Sequence, residues 1–111
     1  MNQPSTAQQI EALVNHLTLS EKVALLSGKN AWLTMPIERL DIPSVVMTDG
    51  PHGVRTGGHG SGRAVGTGTA YPTGISMAST WNRSLIERVG IALGEETRHL
   101  GCHILLGPCV N

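Results

Sequence analysis

The sequence predicts an α/β protein in which two leading helices precede one β-α-β unit with parallel strands. Two short apolar runs without alternation, SVVMT at 44–48 and HILLG at 103–107, are typical of strands buried on both faces. Between them lie a glycine-rich loop and then a helical stripe of apolar residues. The order strand, loop, helix, strand predicts a parallel pair joined by a right-handed crossover. Because such a unit cannot cover its own sheet, we expect the opening part of a larger α/β domain.

The leading helices are predicted within 1–28. Four apolar residues spaced for one helical face predict a first, amphipathic helix that begins near residue 5 or 6 and packs its apolar face on other residues. They are Ile10, Leu13, Val14 and Leu17. Thr18 and Glu21 form a capping box that starts the second helix. Gly28 is placed to end that helix in a left-handed turn.

The remaining elements follow from breakers and caps. Segment 29–43 is predicted to be an irregular connection because it contains prolines. Segment 49–78 is predicted to be a glycine-rich loop, since 50–68 alone contains eight glycines. A helix is predicted over 82–100, where Gly101 ends it. The second strand, 103–107, follows directly.

Composition bounds the possible partners. The 111 residues suit one small domain, only 14% are charged, and Lys plus Arg balance Asp plus Glu at eight each. A zero net charge gives no reason to expect nucleic acid or an anionic membrane as partner. The first residues lack the pattern of a secretory signal, so the expected location is cytoplasmic. Glycine is frequent and phenylalanine absent, so we expect a weak core.

No pattern indicates a cofactor or a metal. His99 and His103 are separated by Gly101, which ends the helix, so they do not share a helical face as a zinc pair would. The glycine-rich loop contains neither phosphate-binding motif. Cys102 and Cys109 match no metal or redox spacing and are interpreted as reduced, buried thiols.

Asp49, Arg55 and Trp32 are the candidate binding residues. Asp49 follows the first predicted strand, at the end where parallel α/β folds bind ligands. Its carboxylate suits adjacent hydroxyls of a sugar or diol, but it equally suits a cap of the Gly50–Pro51 turn. Arg55 has three open roles: stabilising Asp49, contacting a ligand, or lying on the surface. Trp32 could stack on a sugar face or pack in the core.

Five segments in order carry a family resemblance. They are LTLSEKVALLSG at 17–28, MTDGPHGVR at 47–55, YPTGISMASTWN at 71–82, GEETRHLG at 94–101 and ILLGPCVN at 104–111. Together they resemble the amino-terminal part of glycoside hydrolase family three, especially its β-glucosidases. The resemblance implies a partial (β/α)8 barrel of the TIM type. It also implies retaining hydrolysis of β-linked glucosides, with Asp49 binding sugar hydroxyls and Arg55 and Trp32 near the site entrance.

The same resemblance implies that the catalytic residues are not in this chain. The family's aspartate nucleophile, in a Ser-Asp-Trp segment, and its acid/base glutamate lie downstream of the matched part. Retaining hydrolysis needs both carboxyl groups, so we expect the isolated chain to be inactive. An alternative hypothesis is a non-catalytic module that assembles with a partner chain supplying the rest of the barrel.

Overall fold

The computed structural model describes residues 5–55 and 66–108. Within them the chain forms helix α1 (Thr6–His16), helix α2 (Leu19–Leu25), a 3-10 turn (Glu38–Leu40), strand β1 (Met47–Asp49), helices α3 (Gly74–Ala78) and α4 (Arg83–His99), and strand β2 (Ile104–Leu106). Contacts divide the chain into two compact units, Met1–Ser44 and Val45–Asn111, where the sequence predicted a single domain. The irregular 29–43 segment accounts for this, because it folds back on the leading helices within the first unit.

Capping boxes start both leading helices. Ser5 caps α1, and Thr18 caps α2 through reciprocal bonds with Glu21, as the T-x-x-E pattern predicts. The Glu21 carboxylate also accepts hydrogen bonds from Arg39 Nη2 at 2.7 Å and from Arg39 Nε at 3.1 Å. The hydrogen bonds from Arg39, and then those from Thr18, lower the pKa of Glu21 to about 2. Arg39 Nη2 also donates to the carbonyl of His16 at the end of α1, so one guanidinium ties the 3-10 turn to both helices.

Two expectations for this unit differ from the structure. Gly28 does not cap α2 in a left-handed turn: the helix ends at Leu25, and Gly28 instead forms an antiparallel bridge with Thr34. A side chain at Gly28 would meet the carbonyl oxygen of Asn30 at 2.4 Å, which gives the glycine a steric reason. The apolar stripe of α1 is largely exposed, since only Leu17 among its four residues is buried.

The carboxyl-terminal unit contains the predicted parallel strand pair. Asp49 of β1 lies opposite Leu106 of β2, and helix α4 connects the two strands. Val46, just before β1, fixes this register, because its carbonyl accepts from the His103 and Ile104 amides at 2.8 and 3.2 Å. Its own N–H donates to Nδ1 of His103 at 2.9 Å. Strand β1 begins three residues after the start of the predicted 44–48 and ends one residue beyond it, so Asp49 lies in the strand. Strand β2 is one residue shorter at each end than the predicted 103–107.

The 49–78 loop prediction missed a short helix. The Thr73 side chain caps α3 by accepting a hydrogen bond from the Ser76 amide. The sequence prediction missed this cap because the glycine and serine residues nearby are typical of a loop. Asn82 caps α4, and Gly101 ends it at φ +73°, within one residue of the predicted bounds. Residues 56–65 of the loop lie outside the described residues.

The core is thin in both units. No described side chain is fully buried, and none of the described helices is long and apolar enough to cross a membrane. Burial raises the pKa of the Cys102 thiol, consistent with its interpretation as a small buried hydrophobe, whereas Cys109 lies outside the described residues. The buried apolar residues are Leu17, Ile37, Val46, Val54, Leu100 and Cys102.

Candidate functional site

The carboxyl ends of the two strands lie side by side, and Asp49 is the last residue of β1. The segments that follow the strands are in contact, because a side chain at Gly107 would lie 3.1 Å from the carbonyl oxygen of Gly50. This edge is where ligands meet the loops of parallel α/β proteins. The predicted ligand face therefore has Asp49 on it. The part of the second loop at 109–111 lies outside the described residues.

A tight turn over 50–55 brings Arg55 back to Asp49. The Arg55 amide donates to the Asp49 carbonyl at 2.7 Å, and the buried Thr48 hydroxyl donates to the Arg55 carbonyl at 3.2 Å. Glycine is required at the start, because a side chain at Gly50 would lie 1.6 Å from the carbonyl oxygen of Gly53. The glycines of the D-G-P-H-G motif therefore close a compact loop on the end of β1.

Asp49 and Arg55 form an ion pair across this loop. Arg55 Nε lies 2.6 Å from Asp49 Oδ1, with the side chains 48% and 31% exposed. Oδ1 is itself buried and receives no well-directed hydrogen bond, so the contact is close in distance but poorly aligned. The Asp49 side chain as a whole is 31% exposed, so part of it remains accessible although Oδ1 is buried. Of the roles left open for Arg55, the structure shows the contact with Asp49.

A pocket of about 250 Å³ opens beside this pair. One wall is the turn 50–55, which includes Arg55, and the other is the segment 68–70. Asp49 does not line the pocket itself, but its chain neighbour Gly50 and its ion-pair partner Arg55 do. The two walls are joined, because the Tyr71 amide donates to the His52 carbonyl at 2.6 Å. The pocket is thus bounded by backbone from two separate parts of the chain.

Glu96 of α4 holds the second wall. Its Oε1 accepts from the Thr69 amide at 2.9 Å and from the Thr69 hydroxyl at 3.0 Å. Sequence reasoning missed this residue, although GEETR was one of the segments that carried the resemblance. A contact between residues 69 and 96 leaves no periodic or local signal that could have revealed it.

Trp32 is the third candidate residue. It belongs to the other unit, is half-buried, and donates its backbone N–H to Asn30 Oδ1 at 2.8 Å. His52, in the turn, is exposed and contributes its carbonyl rather than a packed ring. Among the described residues no group of three or more His, Cys, Asp or Glu side chains is arranged to hold a metal ion.

The fold and site together define a class of protein. A parallel β-α-β unit that presents an acid and an arginine at its carboxyl edge is typical of α/β proteins that bind polar ligands at their strand ends. Comparison with known proteins then identifies the family. A family model described as "Glycosyl hydrolase family 3 N terminal domain" matches residues 7–111. The chain therefore belongs to glycosyl hydrolase family 3, as part of its N-terminal domain.

Individual relatives agree with this assignment. The thermostable beta-glucosidase B of Acetivibrio thermocellus is 44% identical over 109 residues, and a beta-glucosidase of Rhizobium radiobacter is 42% identical over 102. These matches cover 95% and 92% of this chain but only 14% and 12% of the relatives' length. The chain thus spans about an eighth of these enzymes.

A solved structure shows the same backbone. Beta-glucosidase 3B from Thermotoga neapolitana, in complex with glucose, superposes with a TM-score of 0.83 at 35% identity. The match covers 93% of this chain and 17% of that chain. The predicted resemblance to family three is therefore confirmed.

Proposed function

We propose that this chain supplies one side of the sugar-binding site of a β-glucosidase-like enzyme that hydrolyses β-linked glucosides with retention. The observation that carries the proposal is the position of Asp49: an acid at the carboxyl end of a parallel strand, with Oδ1 against Arg55 and a side chain that is 31% exposed. A carboxylate oxygen in this position accepts hydrogen bonds from sugar hydroxyls. Arg55 lies against the carboxylate and limits its movement, and Trp32, as the family resemblance implies, offers an aromatic face for stacking.

The chemistry of bond cleavage is assigned to residues outside this chain. Retaining hydrolysis uses a carboxylate nucleophile and a carboxylic acid about 5 to 5.5 Å apart. Asp49 is paired with an arginine and not with a second carboxyl group. Within the proposed (β/α)8 barrel, Asp49 binds hydroxyls that do not react. Such contacts accelerate the reaction when they tighten as the ring distorts.

A chimaera tests the proposal. The chain replaces its matched segment in the Acetivibrio thermocellus beta-glucosidase B, and hydrolysis of a chromogenic β-glucoside is measured. We expect the chimaera to hydrolyse the substrate and the 111-residue chain alone to be inactive. Asp49→Asn should lower kcat/KM about 10- to 100-fold, because one charge-assisted hydrogen bond contributes about 1.5–3 kcal/mol.

Asp41→Asn is the matched control. Asp41 is exposed and has φ +53°, a conformation that asparagine also tolerates, so this change removes the same charge without strain. Its kcat/KM should equal that of the unchanged chimaera. An Asp49→Asn chimaera as active as the Asp41→Asn chimaera would contradict the proposed role of Asp49.

The open sheet supports a second proposal, that the chain acts as a module completed by a partner chain. Parallel sheets are normally covered on both faces, yet Ile104 and Leu106 of β2 are 43% and 52% exposed. Mixing the chain with the remainder of the Acetivibrio thermocellus enzyme as two polypeptides tests it. Activity that appears on mixing supports assembly from separate chains, whereas activity found only in the covalent chimaera contradicts it.

A further inference from the structure

Thr69 is the point at which helix α4 meets the turn that carries Arg55. Its N–H and hydroxyl both donate to Glu96 Oε1, while its carbonyl oxygen lies against Gly53 so closely that a side chain there would come within 2.0 Å of it. The neighbouring Tyr71 amide binds the His52 carbonyl. The second wall of the pocket is therefore held from both sides, by the carboxylate of α4 and by the turn 50–55.

Glu96 has an arrangement that core stability alone does not account for. Its Oε1 accepts two hydrogen bonds, whereas Oε2 is buried and receives none from the described residues. A buried carboxylate oxygen without a donor costs free energy, which offsets part of the stability that the two Oε1 hydrogen bonds provide. The two bonds that Glu96 makes both go to the pocket wall, so its contribution lies in placing that wall.

We propose that the pocket beside the Asp49–Arg55 pair receives part of the sugar, and that Glu96 is a positioning residue for it: through Thr69 it fixes segment 68–70 opposite Arg55. This inference rests on the proposed function and adds a residue to it. Glu96 does not line the pocket and need not touch sugar. Its loss lets the second wall move, so it weakens substrate binding while leaving the bond-breaking groups in place. The expected signature is a raised KM with kcat little changed.

The test uses the chimaera described above. Glu96→Ala should raise KM about tenfold and change kcat less than twofold. Glu96→Gln keeps a carbonyl oxygen that accepts both Thr69 bonds, so it should recover most of the binding. Thr69→Val removes the hydroxyl donor but keeps the N–H, and should give an intermediate KM. Because both residues act through one contact, the double variant Glu96→Ala with Thr69→Val should be no worse than Glu96→Ala alone.

Glu95→Ala is the matched control, since Glu95 carries the same charge, lies next in the same helix and is exposed. Its KM should be unchanged. Equal KM values for Glu95→Ala and Glu96→Ala would overturn the inference, as would a Glu96→Ala variant that loses kcat with KM intact. A chimaera that fails to hydrolyse β-glucosides before any substitution would instead overturn the proposed function, and the inference with it.

Discussion

The same substitution at two glycines should change stability in opposite directions. Gly53 has φ +146°, and a side chain there would lie 2.0 Å from the carbonyl oxygen of Thr69, where real contacts keep at least 3.0 Å. The Thr69 backbone would have to move by about 1 Å. Gly90 lies within α4, and a side chain there meets nothing within 4 Å. Gly53→Ala therefore creates a collision, whereas Gly90→Ala only removes conformational freedom from the unfolded chain.

The magnitudes follow from these geometries. For Gly53→Ala, backbone strain costs about 1–3 kcal/mol and the overlap about 1–3 kcal/mol more. The free energy of unfolding should fall by about 2 to 6 kcal/mol. Gly90→Ala should raise it by about 0.5–1 kcal/mol, the ordinary difference between alanine and glycine in a helix. This gain corresponds to a Tm increase of several degrees in a domain of this size.

Urea denaturation of the chain and its two variants, followed by far-UV circular dichroism, measures both changes. The midpoint should move down for Gly53→Ala and up for Gly90→Ala, with the slope against urea unchanged. A Gly53→Ala chain as stable as the unchanged one would refute the close packing of the turn on Thr69. A destabilised Gly90→Ala chain would show that this face of α4 is in contact with other residues.

Two further predictions concern the caps and the strand register. Because the folded-state pKa of Glu21 is about 2, below the ordinary 4.5, its contribution to stability is complete above pH 4.5 and is lost as the pH falls toward 2. A nuclear magnetic resonance titration should show this low pKa, and Arg39→Ala should return it toward 4.5; titration near 4.5 in the unchanged chain would disprove the pairing. His103→Leu removes the acceptor of the Val46 amide and should cost about 1–3 kcal/mol of unfolding free energy. His103→Asn, which offers an oxygen acceptor, should cost less, and equal losses would show that the hydrogen bond contributes nothing.

Local signals predicted the helix starts well and the helix ends less well. The Thr18 capping box involves residues three apart, so the sequence contains all of it. Gly28 was predicted to end a helix. A glycine can, however, occupy either a left-handed helix cap or a place where two backbone segments come close together, and here it is the close approach to Asn30 that needs the glycine. The short α3 was missed because its five residues, GISMA, are too few to show a helical period and begin with glycine, so the helix relies on the Thr73 cap.

Within the candidate site, too, some features could be predicted from local sequence and others could not. The position of Asp49 at a strand end could be predicted because it follows from strand order, and the contact with Arg55 is closed within seven residues. Glu96 could not be found, since its contact with Thr69 exists only once α4 lies beside the loop. The spacing of apolar residues also did not predict which of them are buried. The apolar face of α1 was predicted to pack on other residues, yet Ile10 is 55% exposed.

The contacts of Val46 also limit which insertions and deletions the gene can tolerate. They set the start of β1, and Asp49 follows three residues later. Side chains alternate between the faces of a strand, so losing one residue between them would shift the acid by about 3.3 Å and turn it to the opposite face. If Asp49 has the proposed role, the spacing between Val46 and Asp49 is as strict a requirement as the identity of the acid.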